Sequence, residues 1–576
     1  MAASVAMPAS LLTFIFLVAV DATSIVLAVS TVTADLGGNA TESFWVGASY
    51  LLSMCLSQPI VSRLSNIFLQ KSLVLASIVM LGVGSLLCES ADGIPLLLTG
   101  RTIQGLGAGG LMVLCYAVYV DMKTQNESGS GPKFLAAISV SIATGTVCGP
   151  FIGAALSDSH YWRWIFRLNI PVCVVLGVLV YNSSHAPNAG PPPAKLSDLD
   201  FVGIVLFLTS VAPLLVGLSL AGNLYRWTEW QVIAPVASGG VLLLLLIVTE
   251  LCPASVPFPL RSRNASQKPL LGLRQLKARQ GVSAQLQDRV LSNAAQMYAL
   301  LFFLPIYYRV VKERSAITTG IFLLPQTLMM APCAGVAMVL VQLHYSCAIL
   351  LGWFCTAVGM GMLALLGAER SAASDVLLNL LSGFGIGVLL TALALSAQEG
   401  KKDVREPPSA QERKESNQHM REVLMVLIFM RYLGSASGLV IVGLVFQRVL
   451  RTNLGSTKFR SEADNMTKYA TTLMYSIREM SDPEDKQILV HVTETTLRTI
   501  WLALSLASLA MFLLSCVMFV VGRGEQGRES QVTKRSSDGP LRHDVIEEPD
   551  PESSNRCKGD LGGSNIIAKE CLYPKP

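Results

Sequence analysis

The chain has 576 residues, 52% of them hydrophobic and only 14% charged, with a mean hydropathy of +0.51. A soluble domain carries about 25% charge, so the composition excludes a soluble globular protein and points to a polytopic membrane protein. The net charge of +5 decides little by itself, because its placement among loops matters more than its sum.

A membrane-crossing helix needs about 20 apolar residues. Fourteen such runs follow one another, near residues 9–30, 44–61, 72–88, 95–120, 134–156, 164–181, 201–221, 231–250, 290–308, 318–342, 346–367, 375–397, 423–446 and 498–522. The first contains Asp21 and continues toward Val32, so it reads as span 1 and not as a cleaved signal. An even number of spans puts both termini on one side, and Lys and Arg in short loops choose the side. Loops after even spans hold Arg63 and Lys71, Lys123 and Lys133, Lys195, then the basic stretches 261–289 and 401–421. Short loops after odd spans hold few: Arg163, Arg226, Arg309, Lys312, Arg314 and Arg370. Both termini are therefore expected in the cytosol. Trp162, Trp164, Trp227 and Trp230 fall at span ends, as interfacial anchors do. The polar segments 263–289 and 398–422 read as solvated loops or short surface helices without a site. The tail 523–576, rich in Ser, Gly, Pro and charge, reads as disordered. Asn39-Ala-Thr41 and Asn465-Met-Thr467 are possible glycosylation sequons on the expected outer side. Most of the twelve cysteines lie in apolar runs without metal spacing and read as packing residues.

Charge within the spans carries the functional signal. Asp21 is the sharpest residue: a carboxylate at span depth costs about 2.5–3.5 kcal/mol on insertion scales, so it faces a cavity or a partner. Loss of water favours the neutral carboxyl, which suits a proton carrier; a structural hydrogen bond to a neighbouring helix explains the residue equally well. In Leu98-Thr-Gly-Arg101-Thr-Ile-Gln104-Gly105-Leu-Gly107-Ala-Gly109, an arginine and Gln104 sit on a glycine-faced helix. Arg101 cannot give up its proton, but it can hold a carboxylate or an anionic group; the alternative is an arginine snorkelling near the end of span 4. In Gly145-Thr-Val-Cys-Gly149-Pro150-Phe-Ile-Gly153-Ala154 three glycines four apart fall on one face, where another helix can approach, and Pro150 bends the axis. Phe429-Met-Arg431-Tyr-Leu-Gly434-Ser-Ala-Ser-Gly438 places a further arginine on a small-residue helix. No P-loop, dinucleotide fingerprint, zinc set or nucleophile elbow appears. An enzyme, a cofactor, a bound metal and direct use of nucleotide energy are therefore not expected, which leaves an ion gradient.

Several of these motifs, in this order, resemble those of the major facilitator superfamily, in its fourteen-span drug:proton antiporter branch of fungal type. Asp21-Ala-Thr23 with Ala34-Asp35-Leu36 resembles its first span, and Ser30 replaces a usual proline. The Arg101 stretch is similar to its span 4 signature, which is associated with proton coupling. The Gly145–Gly153 stretch resembles its antiporter signature in span 5, where the kinked face lies between the two halves of an exporter. Tyr161–Pro171 and the Arg431 stretch resemble its span 5–6 junction and span 13, and Leu497-Arg498-Thr499-Ile500-Trp501 resembles the start of its last span. Between spans 2 and 3 the family's acid–base latch is degraded to Asn66, Gln70 and Lys71, of which Lys71 alone keeps its charge.

The resemblance implies an all-α polytopic membrane protein with the major facilitator fold: two six-helix bundles plus two extra central spans. The bundles would be 1–182 and 263–522, with a linker and the extra spans over 183–262. It implies proton-coupled export of hydrophobic or amphipathic small molecules, with Asp21 and Arg101 in coupling. Gln104, Gly105, Gly145, Gly149, Pro150, Gly153, Arg431 and Gly434 would serve helix packing and conformational change. Met329, Met330, Phe302 and Phe303 could offer adaptable contacts to substrate, although lipid-facing packing is the commoner role. The expected partners are substrate, protons and lipid, not nucleic acid, with a monomeric protein in the plasma membrane or, alternatively, the vacuolar membrane. A siderophore–iron transporter of a related branch, or a non-transporting sensor on the same fold, are the rival readings. The topology is checked by labelling from outside: a cysteine placed at Ser456 should react and one at Ser409 should not, and the reverse would overturn the orientation.

Overall fold

In lipid each backbone N–H and C=O must be paired within the protein, so long apolar runs become helices. The computed structural model describes residues 2–125, 130–158, 161–183, 199–221, 225–251, 270, 284–367, 371–396, 410–468, 477, 480 and 482–537. Apart from one isolated bridge, Ala221 to Tyr225, the regular structure among them is helical. Span 1 is Ala2–Asp35, span 2 Ala40–Leu64, span 3 Gln70–Glu89, span 4 Ile94–Gln125 and span 5 Ser130–Asp158. Span 6 is built from Trp164–Arg167 and Asn169–Asn182; spans 7 and 8 are Phe201–Leu220 and Trp230–Leu251. Span 9, Ala284–Ile306, runs on through a π-helical turn, Tyr307–Val311. Span 10 comprises Ala316–Leu328 and the first part of helix Met330–Leu363, which breaks at His344 (φ −166°, ψ 114°); span 11 is the remainder. Spans 12, 13 and 14 are Ala372–Ser396, Ala410–Leu454 and Pro483–Ser537.

Thirteen of these helices are long and apolar enough to cross a membrane, and the broken span 10 accounts for the fourteenth predicted run. The differences from the sequence reading lie at helix ends, where polar residues continue a helix that hydropathy alone would stop. Span 13 begins at Ala410, inside the segment expected as a solvated loop, and span 14 begins at Pro483, so Arg498 and Trp501 lie well within it. That same helix passes Gly522, where a disordered tail was expected, and reaches Ser537. Most of 184–198, 252–283, 397–409 and 538–576, and so the linker, much of both polar segments and the end of the tail, lies outside the described residues. Trp164, Trp227 and Trp230 are exposed as anchors should be, but Trp162 is buried, its indole donating to Asp35 at 2.9 Å. Asn39 caps span 2 through a reciprocal pair, Glu42 N to Asn39 Oδ1 (3.0 Å) and Asn39 N to Glu42 Oε2 (2.8 Å), whereas Asn465 is exposed on the short helix Ala463–Lys468.

Spans 1–6 pack among themselves, chiefly as pairs 1–5, 3–4 and 2–4, and the later spans chiefly as 11–12 and 9–13. The two sets meet along spans 2 and 13 and along spans 5 and 10. Spans 7 and 8 pair with each other, and span 7 touches spans 2 and 13, with Trp45 donating to Ser219 at 2.8 Å and Phe207 set against Phe429.

The glycine stripe of span 5 does not lie between the halves. A Cβ at Gly145 would meet Phe16 O and Ala19, one at Gly149 would meet Thr23 and Val20 O, and one at Gly153 would strike Ser24 O. The stripe is the seat of span 1 inside the first half, and the close backbone contact is why no larger residue fits. The inter-half side of span 5 is its neighbouring face, where Gly320 of span 10 lies near Ala154 and the Pro150 carbonyl. Gly149→Leu should therefore destabilise the first half by about 1–3 kcal/mol or more, as overpacking does, and abolish transport. Gly240→Leu, where a Cβ meets nothing within 4 Å, should leave the melting temperature in detergent unchanged. Equal melting of the two variants would show that span 1 does not rest on this stripe.

Candidate functional site

The densest polar cluster inside the first half begins with the glycines of span 4. Gly105 and Gly109 lie against the Tyr50 and Met54 carbonyls of span 2, and Gly107 against Ser77 O and Leu81 N of span 3. With its backbone wedged between two others, span 4 carries Arg101 close enough to span 2 for Nε to donate to Val46 O at 3.2 Å. Arg101 Nη1 donates to Asp21 Oδ2 and to Gln104 Oε1, both at 2.8 Å. Gln104 Nε2 reaches Ser85 Oγ at 3.0 Å, and Asn169 Nδ2 donates to Asp21 Oδ1 at 3.1 Å and lies 3.4 Å from Ser85 Oγ. The Arg101 guanidinium carbon stands 4.1 Å from the Tyr50 ring centroid and 5.7 Å from that of Phe166. Side chains or carbonyls from spans 1, 2, 3, 4 and 6 thus converge on one ion pair. Its side chains are 0% and 1% exposed, so Arg101 is not snorkelling to the surface.

The structure brings together Asp21, Arg101, Gln104 and Gly105, all singled out in the sequence. It adds Ser85, Tyr50 and Asn169, which sequence reasoning passed over. Asn169 was legible as an amide at the head of an otherwise apolar run; Ser85 was not, since one serine in an apolar span carries no signal. Gly145, Gly149 and Gly153 set the position of span 1, and hence of Asp21, from the opposite side. Arg431 and Gly434 lie elsewhere, on span 13: Gly434 packs against Leu291 O of span 9, and Arg431 is half-buried and close enough to Tyr116, Tyr298 and Tyr432 for its charge to act on them. Phe302 and Phe303 are buried and do not face lipid; Phe303 lies 5.7 Å from Phe44 and 5.2 Å from Phe446, ring to ring.

A second polar group joins the halves at the end of the bundle where span 1 begins, called the inner end after the cytosolic side that the loop charges lead one to expect for it. Arg63, in the last turn of span 2, lies 3.4 Å from Glu422 of span 13 and donates from Nε to Leu270 O at 3.1 Å. Asp121 of span 4 pairs with Arg421 of span 13 and also accepts from Gln70. A small cavity of about 30 Å³, open to solvent, is lined by Arg63, Asn66, Tyr116, Arg421 and Glu422 among others. The segments ending at 289 and 422 were expected to hold no site, yet Leu270, Arg421 and Glu422 complete this contact. The remnant of the family latch does not cross between halves by itself. Asn66 donates to Ser62 O at 3.2 Å, and Lys71 Nζ caps span 6 through Tyr181 O (2.7 Å) and Ser183 O (2.9 Å). In the second half, Lys312 lies 3.5 Å from Asp375, both buried. On the exposed loop side, Lys458 holds its proton more tightly than an isolated lysine because Asp485 accepts from it.

Two helical sets joined along matched seams, with ion pairs buried inside each and further ion pairs across the inner end, fit the architecture of a membrane transporter of two halves. Comparison with known proteins agrees. The sequence pattern of the Major Facilitator Superfamily matches residues 9–211. The MFS transporter L2 of a Phoma species is 31% identical over 504 residues, covering 86% of this chain and 78% of that one. The MFS-type efflux pump MMF1 of Pseudozyma antarctica is 30% identical over 386 residues, 66% of this chain and 68% of the relative. Among solved structures, a bacterial homologue of the human lysosomal transporter Spinster, inward-facing and unoccupied, superposes with a TM-score of 0.56 at 12% identity, covering 88% of this chain and 96% of that one. The chain belongs to the major facilitator superfamily.

The inner contact has a direct test. Arg63→Glu faces Glu422 with a like charge and should open the inner end, raising the alkylation rate of a cysteine placed at Tyr116 by about tenfold for each 1.4 kcal/mol shifted. Adding Glu422→Arg should restore the slow rate. An unchanged rate in the single variant, or no rescue by the double one, would show that the pair does not hold the halves together.

Proposed function

We propose that the protein is a proton-coupled exporter of hydrophobic and amphipathic small molecules, acting as a monomer in the plasma membrane with its inner end toward the cytosol. The observation that carries this reading is the Asp21–Arg101 pair: a carboxyl that can bind and release a proton, 2.8 Å from a permanent charge, with both partners buried inside the first half. The efflux pumps among its relatives, from Fusarium as well as Pseudozyma, support the direction of transport. The excess of Lys and Arg in loops after even spans supports the orientation.

The coupling follows from what each protonation state does. Ionised, Asp21 ties span 1 to span 4 through Arg101 and to span 6 through Asn169. Protonated, it loses the charge-assisted bond, and Arg101 keeps Gln104 Oε1 and Val46 O. Span 1 is then held less firmly to its own half. It also borders the other half, with Leu27 O accepting from Arg309 and Leu27 Cδ1 near Gly320, so a change in its seating reaches the seam. A proton entering from outside favours one facing state, substrate favours the other, and one cycle exchanges proton for substrate.

Purified protein in vesicles with an imposed pH gradient checks the assignment. Asp21→Asn should abolish the response to the gradient while substrate affinity stays within about threefold. Arg101→Lys should also fail, since lysine lacks the planar donor fork that serves Asp21, Gln104 and Val46 together. An equal gradient response in wild type and Asp21→Asn makes Asp21 structural.

A further inference from the structure

Midway through the bundle, the seam between the halves carries polar groups that no neighbour answers. Arg431 of span 13 lies about 15 Å further along its helix than Arg421, half the thickness of a hydrocarbon core. It is half-buried, and its backbone carbonyl accepts from Ser435 Oγ at 2.9 Å. Among the described residues its guanidinium has no hydrogen-bond or ion-pair partner. Arg101 gives the contrast, since its donors are taken by Asp21, Gln104 and Val46 O.

Three tyrosines surround Arg431, near enough for charge to act between them: Tyr116 of span 4, Tyr298 of span 9 and Tyr432 of span 13. Tyr298 and Tyr432 are buried, and none of the three hydroxyls meets a hydrogen-bond partner among the described residues. Tyr298 and Tyr432 also lie close to Tyr50, whose ring centroid is 4.1 Å from the Arg101 guanidinium carbon. At the other side of the group, Tyr116 lines the inner cavity together with Ile428, one turn before Arg431 on span 13. Gln58 of span 2, one turn outward from Ser62 in the same lining, is fully buried with Nε2 and Oε1 both unpartnered. Two spans of each half thus bring unanswered polar groups to one depth of the seam. Such groups are costly in a dry interior until something hydrogen-bonds to them. Their chemistry is biased toward donation: a permanent cation with five N–H groups, three phenol hydroxyls and the faces of their rings.

We propose that Arg431 and the tyrosines around it recognise the exported compound: the guanidinium and hydroxyls donate to its carbonyl oxygens, and its aromatic body lies on the tyrosine faces. The fixed positive charge turns lipophilic cations away. The inference rests on the export reading and sharpens it, from hydrophobic compounds in general to aromatic compounds that carry oxygen acceptors and no positive charge. With the seam closed, the cavity beside Tyr116 and Ile428 measures about 30 Å³, room for water and not for cargo. Cargo therefore reaches Arg431 when the Arg63–Glu422 contact parts and the two walls separate.

The test is binding of three probes of like size to the full chain in neutral-lipid nanodiscs, with empty nanodiscs subtracted. They are 2-acetylnaphthalene, 2-isopropenylnaphthalene, in which a methylene replaces the carbonyl oxygen, and 2-naphthylmethylammonium. Wild type should bind the ketone about tenfold more tightly than the alkene, and the ammonium weakest. Arg431→Met should bring the ketone down to the alkene's affinity, leave the alkene within about twofold and admit the ammonium more readily. Tyr298→Phe and Tyr432→Phe, which keep the ring, should each weaken the ketone about threefold and spare the alkene. A ketone-to-alkene ratio unchanged by Arg431→Met, or an ammonium bound by wild type as well as the ketone, would overturn the assignment. If Arg431→Met does not fold, wild-type ratios in both tyrosine variants overturn it instead. Vesicles that show the expected ratios yet carry no probe across would overturn export and leave the site standing.

Discussion

The arrangement of the first half depends on one constraint: a charge taken out of water must meet its opposite inside the protein. Asp21 has nowhere else to go. Leaving one member of such a pair alone costs about 3–5 kcal/mol, a large fraction of what holds a domain together. Spans 1, 2, 3, 4 and 6 are accordingly placed so that Arg101, Asn169 and the Val46 carbonyl answer that charge, directly or through each other. The glycines of spans 4 and 5 are the means. They remove side chains where backbones must touch, so that a buried arginine reaches two neighbouring helices and Asp21 is pressed toward it from behind.

The Arg421–Asp121 pair at the inner end obeys a different scale, unlike Arg63–Glu422, whose side chains are 8% and 13% exposed. Arg421 and Asp121 have side chains 32% and 18% exposed, against 0% and 1% for Arg101 and Asp21. Pairs that retain water contribute about 0–1 kcal/mol. A contact of that size suits a seam that must part and reform, whereas the buried pair is too costly to break by thermal motion. The same chain thus uses one kind of interaction at two strengths, set by burial alone.

Most of the fold was legible in the sequence because bilayer thickness dictates run length; fourteen runs and fourteen spans correspond. Helix ends were not, because hydropathy stops where polarity begins while hydrogen bonding continues: Ala410 to Arg421 is polar and helical at once. Asp21, Arg101 and Gln104 stood out as polar residues in apolar runs. The inner contact did not, since Arg63, Asp121, Arg421 and Glu422 sit where loop charge is ordinary, and their pairing spans about 300 residues or more of chain. The Gly145–Gly153 stripe was recognised as a packing face but set against the wrong neighbour, because spacing says that a helix approaches and not which one.

The two ends of the seam are held by different physics. The inner end is held by Arg63–Glu422 and Asp121–Arg421, and the outer end by the aromatic run Phe44–Phe303–Phe446 together with the Arg309–Leu27 bond. Ion pairs that touch water are screened by salt over about 8 Å at physiological strength; buried aromatic contact is not. The degraded loop between spans 2 and 3 now has a physical sense. Gln70 gives Asp121 a neutral hydrogen bond, so Arg421, from the other half, keeps the charge. An arginine in place of Gln70 would compete for the same carboxylate from within the first half and draw it off the seam. With Gln70 neutral, the charged partner that Asp121 meets is Arg421, which comes from the other half.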